Sequence, residues 1–516
     1  MVPDAHESPR EAPRGARAAW VMLIVAALAA ALVFWTRLTS WASCWRWTIT
    51  EGREGPSIYA IWRVVHGAPL YEWPDREPYS VTFMNYGFFG AYAGVARVFG
   101  AGGEALLWVG RLFTLLGAVV GATLFVLAAK RLARPRGSLE WGALGALAFV
   151  VWFGTQFIAW WSLSIRPDLW AAAFALGGLY VALPGIAGAA PGRLAVASLL
   201  FFFAWSFKQS CILGFLGCAA STLVVARSIR ALLALLVPFG TLVAASLAVG
   251  GEVYRYNIIT VPAISDWHFG LMTEVLSRAL PQNPWIFGFF PLALLAFWSE
   301  AGRKTWSALP AEVKTLAIVV VTSVALGTFA LGREGSNKNH LFEGYISSSL
   351  ASFWALHRLA WLETRPRILA IGLVGLVPLA AFPVAQLVLP NRLGRIVLCS
   401  QHDTAELEKL ASAIRGLPKP LYTEEDIFSL PWNSNDNRYP TLVVDPTWYG
   451  IAKREGHVAP DFPRKLLAPP RFRTVVQFKG HPELDALYER GSACRPLPAR
   501  WFGLELVACT TSPAAR

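Results

Sequence analysis

Long apolar runs, separated by short basic connections, set the pattern of the chain from residue 18 to residue 389. They occupy residues 18–35, 106–129, 141–158, 169–183, 194–207, 211–226, 231–249, 285–298, 316–331, 341–356 and 368–389. On hydropathy and length these are candidate membrane-crossing helices, which need roughly 20 apolar residues each. The pattern therefore predicts about eleven spans, a count that rests on hydropathy alone. The first run follows Arg10, Arg14 and Arg17, is itself long and is followed by Arg37. No clear small-x-small cleavage site ends it, so it reads as an uncleaved anchor with a cytosolic N-terminus. Residues 81–100 are apolar too, but Asn85, Tyr86, Tyr92 and Arg97 interrupt them and Gly87, Gly90 and Gly94 recur. They predict an amphiphilic helix lying in the membrane interface rather than a further span.

Charge then fixes the threading. Lys130, Arg131, Arg134 and Arg136, next Arg193, next Arg227 and Arg230, next Arg303, Lys304 and Lys314, and finally Arg358, Arg365 and Arg367 all fall on the side of the N-terminal tail. Basic connections mark the cytosolic side, so an odd number of spans leaves the C-terminal segment outside. The predicted organisation is a cytosolic tail over 1–17, a transmembrane domain over 18–391 with a long outer loop over 37–104, and an extracytoplasmic domain over 392–516. The last reads as a small α/β module. Residues 395–399, 441–444 and 474–477 are strand-like, and Asp403 with Glu406 has the spacing of a capping box opening a helix to Ile414. No internal repeat and no two-half symmetry of the transporter kind is evident.

Composition agrees and narrows the class. Hydrophobic residues make up 55% of the chain and charged residues only 15%, against roughly 25% charged in soluble domains. A net charge of +13 would suit nucleic acid, but the basic excess lies mainly in the apolar part and argues for basic cytosolic connections instead. The 23 Trp read mostly as interfacial anchors. Cys211 and Cys218 sit in an apolar run as small core residues. Cys399, Cys494 and Cys509 lie in the polar C-terminal part, and their odd number leaves any disulfide pairing open.

Polar residues near hydrocarbon are costly and usually functional or paired, so where they collect is informative. The loop 37–104 holds Glu51, Arg53, Glu54, Arg63, His66, Glu72, Asp75, Arg76 and Glu77. Arg166 and Asp168 stand at the mouth of a helix, and Lys208-Gln209 breaks a pair of apolar helices. The segment from Gly332 to His340 carries Arg333, Lys338 and His340, with Glu343 just beyond. Each element has a plainer reading. Arg166 and Asp168 suit a simple pair at a helix start, Lys208 suits snorkelling, and Glu51 and Glu54 suit solvated loop charges. What distinguishes them is that all four elements fall on one side of the membrane.

In order and spacing these elements resemble the integral-membrane glycosyltransferases of the GT-C superfamily, which includes protein O-mannosyltransferases and the aminoarabinose transferase of lipid A. The resemblance runs from about Ala18 to Leu389. It rests on Glu54-Gly55-Pro56-Ser57-Ile58-Tyr59 with Gly67-Ala68-Pro69-Leu70-Tyr71, Arg111, Arg166-Pro167-Asp168, Phe207-Lys208-Gln209, and Gly335-Ser336-Asn337-Lys338-Asn339-His340. Related sequences often show Tyr-Pro-Pro after the first-loop motif, where this chain has Asn85-Tyr86-Gly87-Phe88.

The resemblance implies a GT-C-like helical membrane fold and a polyprenyl-phosphate sugar donor. The acceptor would be a lipid, glycan or protein hydroxyl at the outer face of the inner membrane. Glu54 is the expected general base, since an acceptor hydroxyl must lose its proton as the new bond forms. Arg333, Lys338, His340 and Lys208 are the expected partners of the leaving phosphate. Asp168 is a second catalytic candidate and leaves room for a divalent cation. Glu51, Tyr59, Arg166 and Gln209 are expected in supporting or acceptor-side roles. The partners implied are the donor, the acceptor and the bilayer, with no nucleic acid. A transporter or lipid flippase is the rival class, favoured by charges near the midplane and repeated halves.

Overall fold

Membrane-length helices dominate because every backbone polar group in hydrocarbon must be satisfied within its own segment. The computed structural model describes residues 14–43, 45–47, 54–73, 82, 84–135, 138–155, 157–282, 297, 306–360, 401–418, 421–423, 454, 456, 474–478, 492–501 and 504–511. The first apolar run forms α1 (Arg14–Ser43), and the next forms α4 (Ala105–Ala133), which ends on Lys130 and Arg131 and is closed by Arg134 in the left-handed region. Basic side chains in a last turn complement the helix dipole. Helix α5 (Ser138–Phe149) runs into a π turn at Val150–Gly154, and Gly154 is required there because a Cβ would lie 2.4 Å from Ala30 Cβ.

The bundle continues with α6 (Asp168–Ala187), α7 (Pro191–Phe207), α8 (Leu213–Ser221), α9 (Ile229–Val249), α10 (Phe269–Gln282), α11 (Ala311–Ala330) and α12 (Phe342–Ala360). Among the described residues four helices, α4, α6, α9 and α11, are long and apolar enough to cross a membrane by length and composition. The expected spans at 285–298 and 368–389 lie outside the described residues. One apolar core joins α1, α4 to α9, α11 and α12 around Trp152, Phe157, Leu176, Phe201, Phe215 and Tyr345.

Two helices lie inside the stretch read as the first outer loop: α2 (Glu54–Val65) and α3 (Tyr86–Val98). Asn85 caps α3 by accepting from Tyr86 N at 3.1 Å and ties it to α7 by donating to Trp205 O at 3.0 Å. At 13 residues, α3 spans about 20 Å and is too short to cross a bilayer. The expectation of an interfacial amphiphile needs one correction, because Phe88, Phe89 and Tyr92 are buried against protein. This happens because Gly87 and Gly110 permit close approach: a Cβ at Gly87 would lie 2.6 Å from Ser206 O, and one at Gly110 would strike the Tyr92 ring.

The C-terminal unit contains α13 (Gln401–Arg415) and a four-stranded sheet of order β1-β2-β4-β3, from β1 (Leu421–Thr423), β2 (Thr474–Phe478), β3 (Ser492–Trp501) and β4 (Leu504–Thr511). Strands β1 and β2 are parallel and the other pairs antiparallel. Leu407, Leu410, Ala411 and Ile414 line one face of α13 at helical spacing and pack on Val476, Leu506 and Ala508. The same cluster includes Trp47 and Leu163, so this unit's core is continuous with the helical bundle. One sequence expectation is corrected: α13 starts two residues before Asp403, which therefore lies in the first turn rather than at the cap; the disulfide pairing left open by the sequence is Cys494–Cys509, across β3 and β4. The expected strands at 395–399 and 441–444 lie outside the described residues.

The contact between α4 and the π turn that follows α5 is testable at Gly121. A Cβ there would lie 2.2 Å from Trp152 Cη2, whereas a Cβ at Gly145 meets nothing within 4 Å. Overpacking of this kind costs about 1–3 kcal/mol, so Gly121→Ala should lower the melting temperature of the detergent-solubilised protein while Gly145→Ala does not. Equal melting temperatures would rule out this packing.

Candidate active site

Five residues, Ser164 to Asp168, carry the chain from a 3-10 turn at Ala159–Leu163 into α6, and a buried carboxylate grips them on each side. Asp168 opens α6 with its side chain buried. Its Oδ1 accepts from Lys208 Nζ and from Asn339 Nδ2 at 2.9 Å, and its Oδ2 accepts from Arg166 Nε at 3.3 Å. The Arg166 guanidinium lies 4.8 Å from the Trp161 ring centroid, a favourable cation–π distance. Lys208 reaches Asp168 because α7 ends there, with Lys208 in extended conformation and the chain turning before α8. It does not snorkel: its charge is consumed in a buried pair. The simple Arg166–Asp168 pair expected from sequence exists, but as one edge of a larger cluster.

Glu54 opens α2 and is fully buried. Its Oε1 accepts from Arg111 Nε at 3.2 Å and from Ile165 N at 2.9 Å, and its Oε2 accepts from Arg111 Nη2 at 3.1 Å. Arg111 also donates through Nη1 to Trp45 O at 2.8 Å and through Nη2 to Trp47 O. Two parallel bonds between guanidinium and carboxylate form the strong bidentate pair. Glu54 thereby joins α2, α4, the 45–47 segment and Ile165. Both oxygens of Glu54, the expected general base, thus hold donors. Glu51 lies outside the described residues.

A third buried carboxylate, Glu343 in the first turn of α12, accepts from Leu213 N at 3.2 Å and Gly214 N at 2.6 Å, and so fixes the start of α8 after the Lys208 break. Gly214 admits this approach, since a Cβ there would be 2.9 Å from Glu343 Oε2. The short turn Lys338–Leu341, capped by Asn337, delivers Asn339 and His340 to the cluster. Burial, helped by Lys208 and Arg333, holds the His340 imidazole down at about 3, so it is neutral at physiological pH. Arg333 is exposed and donates to Pro262 O at 2.7 Å, and Lys338 is half-buried. Glu334 beside them accepts from Arg454 of the C-terminal part at 2.6 Å, and this bond holds its carboxyl below the usual range.

The structure thus brings Asp168, Lys208, Arg166, Asn339 and His340 together, with Glu54 on the other side of the same turn. Gln209 is half-buried next to Lys208. Tyr59 falls elsewhere, in the apolar cluster of α2 and α3, with Trp62 stacked at 6.2 Å. Asn339 was visible only as part of a motif, and Glu343 as a neighbouring acid; nothing local announces their partners. Among the described residues no three His, Cys, Asp or Glu side chains converge as a metal site. Both Asp168 oxygens face nitrogen donors, two of them cationic, so this donor set as arranged does not fit a divalent cation.

The helical bundle, with Glu54 opening α2 and a small α/β unit at the C-terminus, shares its overall fold with solved membrane-enzyme structures. Among solved structures, the chain is similar to ArnT from Cupriavidus metallidurans bound to undecaprenyl phosphate, at 16% identity and a TM-score of 0.57, over 96% of this chain and 98% of that one. It is also similar to the oligosaccharyltransferase AglB from Archaeoglobus fulgidus in complex with an inhibitory peptide and a dolichol-phosphate, at 13% identity and a TM-score of 0.51, over 89% and 69%. A complex of the Archaeoglobus oligosaccharyltransferase with Zn and sulfate gives 15% identity, a TM-score of 0.50 and coverage of 89% and 68%. No protein-family model matches the chain and no curated protein matches it in sequence.

Removing one partner of a buried ion pair leaves an uncompensated charge and costs roughly 3–5 kcal/mol, whereas replacing both by apolar groups is often neutral. Arg111→Leu should therefore lower the melting temperature sharply, and adding Glu54→Leu should recover most of the loss. A double variant as unstable as the single one would show that the Trp45 and Trp47 contacts, not the pair, dominate.

Proposed function

We propose that the chain is a glycosyltransferase that moves a sugar from a polyprenyl-phosphate donor to a hydroxyl of a lipid, glycan or protein acceptor. In this reading the protein crosses a cell membrane about eleven times, residues 1–17 face the cytosol, and the first loop and residues 392–516 lie outside with the active site. The observation that carries the reading is the buried cluster of Asp168, Lys208, Arg166 and Asn339, with half-buried His340 beside it, in a fold shared with ArnT. Undecaprenyl phosphate in ArnT and dolichol-phosphate in AglB support a lipid-phosphate ligand.

The leaving phosphate gains negative charge in the transition state, and fixed donors in a partly dry site stabilise it. Lys208, held in place by Asp168, is the innermost such donor; His340 as neutral imidazole contributes one N–H, with Arg333 and Lys338 on the same loop further out. Asp168 orients these cations. Both Glu54 oxygens already accept hydrogen bonds, from Arg111 and from Ile165 N, so neither stands open to an acceptor hydroxyl. Glu54 is therefore assigned the anchoring of Ile165 and α2, and proton acceptance passes to Glu51, three residues earlier. The Zn in the archaeal structure supports a divalent cation in this chemistry; it would need carboxylates other than Asp168 alone.

Purified protein incubated with a panel of radiolabelled polyprenyl-phosphate sugars and membrane lipids should move label to an acceptor. Passage of intact donor across a liposome without transfer would favour a transporter. With an active donor in hand, Glu51→Gln should slow transfer by about 10²–10⁴-fold with donor affinity kept, while Glu54→Gln and Asp168→Asn should lower melting temperature and donor affinity together. Slowed transfer in Glu54→Gln at unchanged stability and affinity would return the base to Glu54.

A further inference from the structure

The segment from Gly332 to His340 is anchored at both ends, and its inner anchor is the bond that Asn339 donates to Asp168. At the outer end Gly332, Arg333 and Glu334 lie against residues 262–268, which lead into α10. Trp267 and Arg333 form an antiparallel bridge, His268 N donates to Gly332 O at 2.7 Å, and Glu334 N donates to Asp266 O at 3.0 Å. Arg333 Nη1 reaches back to Pro262 O. Trp267 Nε1 donates to Phe329 O at 2.8 Å, with its ring stacked on Phe329. Gly332 is required beneath that ring, since a Cβ there would lie 2.3 Å from Trp267 Nε1.

This pairing sets two acids, Asp266 and Glu334, directly opposite each other. Like charges so placed repel, and Arg454, from the C-terminal part, supplies the counter-charge. Its Nη1 donates to Glu334 Oε1 at 3.3 Å and its Nη2 to Glu334 Oε2 at 2.6 Å, a bidentate pair, and the same Nη2 lies 3.7 Å from Asp266 Oδ2. All three side chains are partly exposed, so the clasp adds little to global stability. Its place in the chain matters more, because Glu334 stands only five positions before Asn339. We propose that Arg454 is a positioning residue: by clasping Glu334 and Asp266 it fixes the outer end of residues 332–340 and so sets where Lys338 and His340 present their donors. The proposal rests on the reading of those residues as the donor-phosphate seat, and it gives the C-terminal part a role in the reaction.

Three variants of the full-length protein test this: Arg454→Gln, Arg454→Glu, and Arg454→Glu combined with Glu334→Arg. Each is compared with wild type by hydrogen-exchange mass spectrometry, thermal unfolding and equilibrium affinity for polyprenyl phosphate. Arg454→Gln should speed amide exchange across residues 332–340 while exchange in α4 and the melting temperature stay as in wild type. It should weaken binding about twofold to fivefold, the range of an exposed ion pair. Arg454→Glu, which places a third acid beside two, should weaken it further. Adding Glu334→Arg should restore both exchange and affinity, as expected of direct partners. Unchanged exchange at 332–340 in Arg454→Glu would overturn the clasp. Faster exchange there with unchanged affinity would overturn the positioning role, as would a charge swap that restores nothing. A lowered melting temperature with faster exchange throughout the chain would make Arg454 a structural residue and overturn it too. If wild type binds no polyprenyl phosphate, the transferase reading falls, while the exchange data still decide whether Arg454 holds the segment.

Discussion

A carboxylate buried among apolar helices must find cationic or N–H donors or surrender its charge, and that requirement organises the polar end of this protein. Glu54, Asp168 and Glu343 each lie in the first turn of a helix, where the dipole favours negative charge. Each also collects donors from a different part of the chain: Arg111 and Ile165 for Glu54, Lys208, Arg166 and Asn339 for Asp168, and the start of α8 for Glu343. The irregular stretches between helices, which would otherwise leave backbone groups unsatisfied, are thereby fixed. The short turn from Ser164 to Asp168 is held from both sides, and Lys208 and His340 are brought to it.

The same three carboxylates also fix where the charges sit, which is what the proposed chemistry would use. Lys208 sits at the break between α7 and α8, and Glu343 fixes the far side of that break through two amides. The ammonium can therefore reach Asp168 without a flexible approach, and under the proposed function it is a preorganised donor for phosphate. His340 adds a neutral N–H in place of a further repelled cation, because burial beside Lys208 and Arg333 disfavours its protonation. Helix packing supports this geometry through glycines at the tightest contacts, as at Gly87 beneath Ser206 and Gly214 against Glu343.

Much of the helical frame was legible because hydrocarbon imposes its own code: apolar runs near 105–133, 168–187, 229–249 and 311–330 appear as helices close to their expected limits. The residues of the cluster were legible too, since Arg166, Asp168, Lys208 and His340 are polar interruptions in apolar sequence. Their partners were not. Pairing Glu54 with Arg111, 57 residues away, or Asp168 with Asn339, 171 away, depends on helix packing that no local pattern encodes. The sequence placed Glu54 and Arg111 in separate motifs, and nothing local announced that they pair. In the C-terminal unit, β3 escaped notice because Pro496 and Pro498 break its strand pattern; the structure accommodates them on an edge strand with a register shift at that point, where a missing N–H is tolerated.

The most direct test of the role given to the Asp168–Lys208 pair is the affinity of the purified protein for polyprenyl phosphate, measured for wild type, Asp168→Asn, Lys208→Met and the double variant. A charge-assisted bond to phosphate is worth about 1.5–3 kcal/mol, so Lys208→Met should weaken binding roughly 10- to 150-fold. Asp168→Asn should weaken it through misplacement of Lys208, and the double variant should bind no worse than the weaker single one, as expected of residues acting through one another. Unchanged affinity in Lys208→Met, or losses that simply add, would contradict a phosphate seat held in place by Asp168.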